Sequence, residues 1–173
     1  MSQRAIFRWV VFLAATGALT LPAWAVVRQD AEGKAAAVAT SSTVTGAGAG
    51  TFNGSASYAG VPLSGLRFGM GMATAADGTA SGDFQSALLG GTVAAPRVIA
   101  VEGRAVSGSV QNGVARFTGT SRVDLGDGSP ALLGVPFTLT VVPGPGNQGT
   151  LTLTLGTTSL PLATATQGSI TVR

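Results

Sequence analysis

The sequence predicts an all-β fold, either an antiparallel β-sandwich or a small β-barrel. Three observations carry that expectation. Beyond residue 50 apolar residues alternate with polar ones at a period of two, turn signals recur at roughly 8–12 residue intervals, and no segment there carries a helical stripe. Strands with one apolar face each must close on themselves or lie against a second sheet, so both architectures stand open.

Two segments precede the strands. Arg4 and Arg8 stand ahead of an apolar run from Trp9 to Leu21, and Ala23-Trp24-Ala25 closes the run on small residues. A charged start, an apolar centre of ~7–15 residues and a small-x-small end predict a signal peptide over residues 1–25, cleaved after Ala25. The run is too short for a membrane span, which needs ~20 apolar residues. The mature chain is therefore expected outside the cytoplasm, in the periplasm, at the cell surface or in the extracellular space. Residues 26–50 are expected to be a flexible tether. Lys34-Ala35-Ala36-Ala37 has no periodic apolar face to continue it, and it dissolves into Ala39-Thr40-Ser41-Ser42-Thr43 and Gly46-Ala47-Gly48-Ala49-Gly50.

A single all-β domain is expected over residues 51–173. Leu66, Phe68, Met70 and Met72 make one apolar strand face, Asp77-Gly78 supplies a hairpin turn, and a return strand runs through Gly82-Asp83-Phe84-Gln85. Val98 to Val106 is the next strand. Asn112-Gly113 is the strongest turn signal in the chain, because Asn and Gly tolerate the positive φ of a type I′ turn. Ala115, Phe117, Gly119, Ser121, Val123 and Leu125 then share a face, as do Phe137, Leu139 and Val141. Pro143-Gly144-Pro145-Gly146-Asn147 breaks the pattern before Leu151, Leu153 and Leu155, and Ile170 and Val172 mark a terminal strand. An internal echo links Phe52-Asn53-Gly54-Ser55 and Gly60-Val61-Pro62-Leu63 to Phe117-Thr118-Gly119-Thr120 and Gly134-Val135-Pro136-Phe137.

Composition removes most catalytic plans. With no histidine and no cysteine, the chain has no Ser-His-Asp triad, thiol nucleophile, His-ligated zinc or haem attachment. An exported domain without disulfides must be held by its apolar core, or fold where oxidation is not relied on. Loss of Arg4 and Arg8 with the signal takes the net charge from +3 to +1. The remaining basic residues are scattered, so neither nucleic acid nor anionic lipid is an expected partner.

Carboxylate and Ser-Lys chemistry remain. Lys34 is the only lysine and lies in the tether, as do Asp30 and Glu32. Asp77, Asp83, Glu102, Asp124 and Asp127 stand mostly beside glycine at predicted turns, whereas a glycosidase needs two carboxylates in one cleft. Asp124-Leu125-Gly126-Asp127-Gly128-Ser129 reads either as a calcium loop or as a plain turn, and it lacks the distal Glu of an EF-hand. Thr138, Thr140, Thr150, Thr152 and Thr154 could form a flat hydroxyl face like those of ice-binding sheets, though threonine is an ordinary outward strand residue. Trp9 and Trp24 leave with the signal and Tyr58 is the only tyrosine, which leaves little for a sugar platform; Phe52, Phe68, Phe84, Phe117 and Phe137 fall on apolar faces as core.

From about residue 66 to 173 the order of motifs resembles the post-COAP domain family, small secreted bacterial β-domains of no established activity. The pieces are Phe68-Gly69-Met70, Asp77-Gly78, Gly82-Asp83-Phe84, Phe117-Thr118-Gly119-Thr120, Pro136 to Val141 and Gln167 to Val172. The resemblance implies an extracellular β-module and adds no site residue. The stretch Val142 to Gln148 holds no acid, so no metal or acid role transfers to that turn.

The function expected from these residues is that of a non-enzymatic exported β-module with a structural or interaction role, its partner a protein or envelope component. No catalytic, cofactor-binding or metal-binding residue is assigned. The alternative is a β-barrel holding an apolar ligand; a carboxylate hydrolase is the least supported. An outer-membrane barrel is not expected, because aromatic girdles are lacking and outward strand positions are Thr, Ser, Gly and Arg.

Overall fold

The computed structural model describes residues 41–173. The expected signal peptide and residues 26–40 of the expected tether lie outside the described residues. Nine antiparallel strands follow: β1 (Ser42–Tyr58), β2 (Val61–Thr74), β3 (Ala80–Thr92), β4 (Ala95–Gln111), β5 (Val114–Asp124), β6 (Leu132–Pro143), β7 (Gly149–Leu155), the two-residue β8 (Thr158–Ser159) and β9 (Ala163–Val172). From β1 to β7 each strand pairs with the next; β9 then pairs with β7 through Thr150↔Thr164 and Leu151↔Ala163, and with β1 along most of its length. The ladder thus returns to its first strand. The result is one antiparallel sheet closed as a ring of eight strands, with β8 attached to β7.

An eight-stranded ring leaves an interior just wide enough for side chains, and here they fill it. Each fully inward phenylalanine lies opposite a glycine on the neighbouring strand: Phe68↔Gly48, Phe84↔Gly103, Phe117↔Gly108 and Phe137↔Gly119. All four rings are buried, and Phe84 and Phe137 stack with centroids 6.3 Å apart. A phenylalanine ring fills the space above three of these glycines, Phe137 over both Gly103 and Gly119 and Phe117 over Gly108, while Gly48 lies against the backbone of β9. A Cβ placed on Gly103 would lie 3.0 Å from the Phe137 ring, and one on Gly108 would lie 2.7 Å from the Phe117 ring. Phe52 is half-buried at the margin of this core. Inward hydroxyls are satisfied by the wall itself, Ser86 donating to the Arg67 carbonyl at 3.0 Å and Ser121 to that of Val135 at 2.9 Å.

The expected tether is corrected over residues 42–50. That stretch is the first half of β1, paired with β2 from Ser42↔Thr74 to Gly50↔Leu66 and with β9 from Val44↔Val172. After Val44 its inward positions are Gly46, Gly48 and Gly50, and a Cβ on Gly48 would stand 2.1 Å from the Gln167 carbonyl oxygen. Neighbouring strands supply the core at those positions, so the segment carries no apolar period of its own. The domain consequently begins by Ser42.

Turn chemistry follows the sequence at Asn112-Gly113, where φ is 52° and 77° within the two-residue hairpin closed by Gln111↔Val114. Asp77-Gly78 turns the chain within a longer loop, closed by a bond from the Ala75 N–H to the Thr79 carbonyl at 2.9 Å. A second hairpin of the same hand joins Tyr58 to Val61 through Ala59 and Gly60, with φ of 48° and 77°. Alanine in a left-handed conformation gives no sequence signal, and that turn was not foreseen. The two halves of the internal echo fall on β1–β2 and β5–β6, hairpins four places apart in the ring.

Two outcomes follow. Gly103→Ala should destabilise the domain by about 1–3 kcal/mol in urea unfolding, and the loss in the Gly103→Ala/Phe137→Leu double variant should be smaller than the sum of the single losses, because the ring is what the methyl meets. Simple additivity would refute the pairing. Ala59→Gly should raise stability by about 1 kcal/mol, since it removes the Cβ strain of a left-handed residue.

Candidate functional site

With the interior filled, the chemistry the fold displays is on its outer wall. Two adjoining depressions, of about 450 and 410 Å³, cross the face of β2 to β5 and meet at Gln85 and Glu102. Their floor is low because outward positions there are Gly69, Ala87 and Ala100, and their borders are high because Arg67, Arg104 and Arg122 are long. Register sets the pattern. One row across the strands reads Gly69, Gln85, Glu102, Arg122; the next reads Gly71, Asp83, Arg104, Thr120. With strands ~4.8 Å apart, such a row spans roughly 14 Å.

Arg122 joins two carboxylates, its Nη1 lying 3.5 Å from Glu102 Oε2 and its Nη2 4.0 Å from Asp124 Oδ2. These side chains are about half exposed, so each pair stabilises the fold by no more than ~1 kcal/mol. Arg67 and Arg104 form no ion pair among the described residues. The trough therefore presents two guanidinium groups, an amide and a carboxylate, Asp83, to an incoming partner.

The five acids of the domain are distributed as follows. Asp83 and Glu102 do come together, as diagonal neighbours on β3 and β4 lining one depression, but on an open wall. A carboxyl that must donate a proton at neutral pH is held in a dry pocket, and both of these side chains are exposed. Asp77 closes its own turn, its Oδ1 accepting the Thr79 hydroxyl at 2.7 Å and the Thr79 N–H at 2.9 Å. Asp124 accepts the Gly126 N–H and Asp127 the Ser129 N–H, each at 2.9 Å. Their second oxygens face Arg122 and Arg97 at 4.0 Å. Arginines thus stand where a calcium ion would need open oxygen ligands, and the 124–129 segment has the geometry of successive Asx turns.

The threonine face is wider than the sequence indicated. Ser107, Thr118, Thr138, Thr154 and Ser159 form one continuous row across β4 to β8, with Ser107 and Thr118 hydroxyls 2.6 Å apart. Thr140 and Thr152 pair beside it. Closure of eight strands turns successive strands by roughly 45° about the ring axis, so this array is convex. Strand register alone makes the row, which is why Ser107, Thr118 and Ser159 were missed. Tyr58 is buried, and that burial pushes its phenol pKa up.

Set against protein-family models, curated proteins and solved structures, the chain matches none.

The turn acids give a pH signature. The Thr79 hydroxyl, then its N–H, holds Asp77 below the ordinary value of 3.8, and the Ser129 hydroxyl, its N–H and Arg97 do the same for Asp127. A depressed folded pKa contributes stability that is present above the unfolded value and lost as pH falls through the folded one. Unfolding midpoints should therefore drop as pH falls below about 3.8, and the Asp77→Asn/Asp127→Asn variant should show a flatter profile. An unchanged slope in that variant would refute the assignment.

Proposed function

We propose that this chain is an exported, non-enzymatic β-module whose outer wall, at the trough across β2 to β5, engages a protein or envelope component. The observation that carries the reading is the division of labour in the barrel. The interior is occupied by Phe68, Phe84, Phe117, Phe137 and the aliphatic residues around them, whereas charged and amide groups are outward and open to solvent. Export rests on the sequence of residues 1–25, and the resemblance of the motif order to post-COAP domains is in keeping with the same placement. Arg67, Arg104, Arg116 and Arg122 on the outer wall would be costly against hydrocarbon, which favours a water-facing barrel over a lipid-facing one.

Closure of the sheet favours a second reading, an apolar ligand held in the lumen, because eight-stranded rings can hold one small molecule. Native mass spectrometry after incubation with lipid extract separates the two readings. The proposed module should fly without added mass, and a co-purifying apolar ligand would decide for the second.

The trough is tested by cross-linking the purified protein to envelope extract. Arg67→Ala/Arg104→Ala should lose most of the adducts that the wild type forms, with stability changed by less than ~0.5 kcal/mol. Equal cross-linking by wild type and variant would refute the trough as the contact. A hydrolase screen completes the test: turnover that vanishes on replacing two of Asp83, Glu102, Asp124 and Asp127 by Ala would defeat the non-enzymatic reading. Fractionation should release the mature protein without detergent. Recovery solely in detergent-extracted outer membrane would overturn the water-facing assignment.

A further inference from the structure

Four Asx-Gly steps occur in the described chain: Asn53-Gly54, Asp77-Gly78, Asn112-Gly113 and Asp127-Gly128. In such a step the glycine nitrogen can attack the preceding side-chain carbonyl carbon, since no Cβ on glycine hinders the approach. The structure restrains three of the four. Asn53 lies in β1, where its backbone N–H donates to the Leu162 carbonyl at 2.8 Å and its Oδ1 accepts the Thr164 hydroxyl at 3.1 Å. At Asp77 the carboxylate is held by Thr79, and the Gly78 N–H, which would have to attack, donates to the Ala75 carbonyl at 3.0 Å. At Asp127 one oxygen accepts from Ser129 while the other faces Arg97.

Asn112-Gly113 differs on each count. It is the exposed tip of the β4–β5 hairpin, and neither the Asn112 amide nor the Gly113 N–H has a hydrogen-bond partner among the described residues. We propose that Asn112 is a site of spontaneous, backbone-mediated deamidation in the folded protein. The Gly113 nitrogen gives up its proton to solvent base and bonds to Cγ of Asn112. The Cγ–Nδ2 bond breaks and the amide nitrogen leaves as ammonia. Water then opens the five-membered succinimide at either carbonyl, giving aspartate or isoaspartate. No oxidant, metal or enzyme is needed. Either product places a negative charge at the tip, and isoaspartate adds a methylene to the main chain, which a two-residue turn closing Gln111↔Val114 cannot absorb. The long β4–β5 ladder below the tip keeps the wall intact.

Peptide mapping of the purified full chain, aged in mildly alkaline buffer, tests the proposal. The peptide holding Asn112 should gain about 1 Da, NH being replaced by O. That gain should come several-fold faster than at Asn53, the factor to which one net hydrogen bond corresponds. The rate should rise with pH, and enzymatic isoaspartate methylation should label position 112. Asn112→Gln should abolish the label. In denaturant Asn53 should catch up, and Thr164→Val should speed its conversion in the folded protein. If Asn112 stays intact while folded and converts only when denatured, or if Asn53 converts as fast as Asn112 in the native chain, the proposal is overturned.

Discussion

The structure depends on pairing a large ring with an absent side chain. An eight-stranded ring is too narrow for bulky residues at every inward position, so the inward phenylalanines alternate with glycines, and the rings of Phe117 and Phe137 lie over Gly108, Gly103 and Gly119. Phe137 shows the arrangement best. Directly across from Gly119, it also reaches over Gly103 and stacks on Phe84, so one ring covers two glycines and ties β4, β5 and β6 together. Replacing glycine at these positions drives a methyl into a ring or a neighbouring carbonyl, and removing a ring opens a void beside bare backbone; either change is felt because interiors are packed near crystal density.

Glycine has a second use in the same wall. At Gly48, Gly119 and Gly168 a Cβ would approach a neighbouring carbonyl oxygen to about 2.0 or 2.1 Å, so the strands coil more closely there than any other residue permits. Strong coiling is what bends a sheet until its last strand reaches its first. Closure in turn removes most of the free strand edge that an open sheet would expose. The least paired stretch is β9 beyond Ala165, where β7 has ended and the turn at Pro145–Asn147 lies alongside. A continuous ladder of this kind gives a cysteine-free domain its cohesion, since every strand of the ring is held on both flanks for at least part of its length.

Filling the lumen has a consequence for function. Groups able to recognise a polar partner are left on the outside, where register, not sequence proximity, decides which of them meet. Gly69, Gln85, Glu102 and Arg122 come from four strands and stand in one row. The low residues of that row and its neighbours make the trough as much as the tall ones do. The acids divide by the same logic. Asp77, Asp124 and Asp127, in loops or at a strand end, serve their own turns, and Asp83 and Glu102, in mid-strand, face the trough.

The sequence by itself determined the class of fold, most strand cores from Leu66 onward, the Asn112-Gly113 hairpin and the inward set of leucines and phenylalanines, because alternation and turn chemistry are local properties written at a spacing of a few residues. It also excluded histidine- and thiol-based chemistry by inventory. Three things were settled only by tertiary structure. The choice of a closed ring over a sandwich depends on β9 finding both β1 and β7, which no local pattern encodes. The first half of β1 was hidden because its inward face is glycine, and its strand character comes from Phe68 and Ile170 on its neighbours. The trough and the hydroxyl row were hidden because they run perpendicular to the chain, so their members lie far apart in sequence and are brought together by hydrogen-bond register.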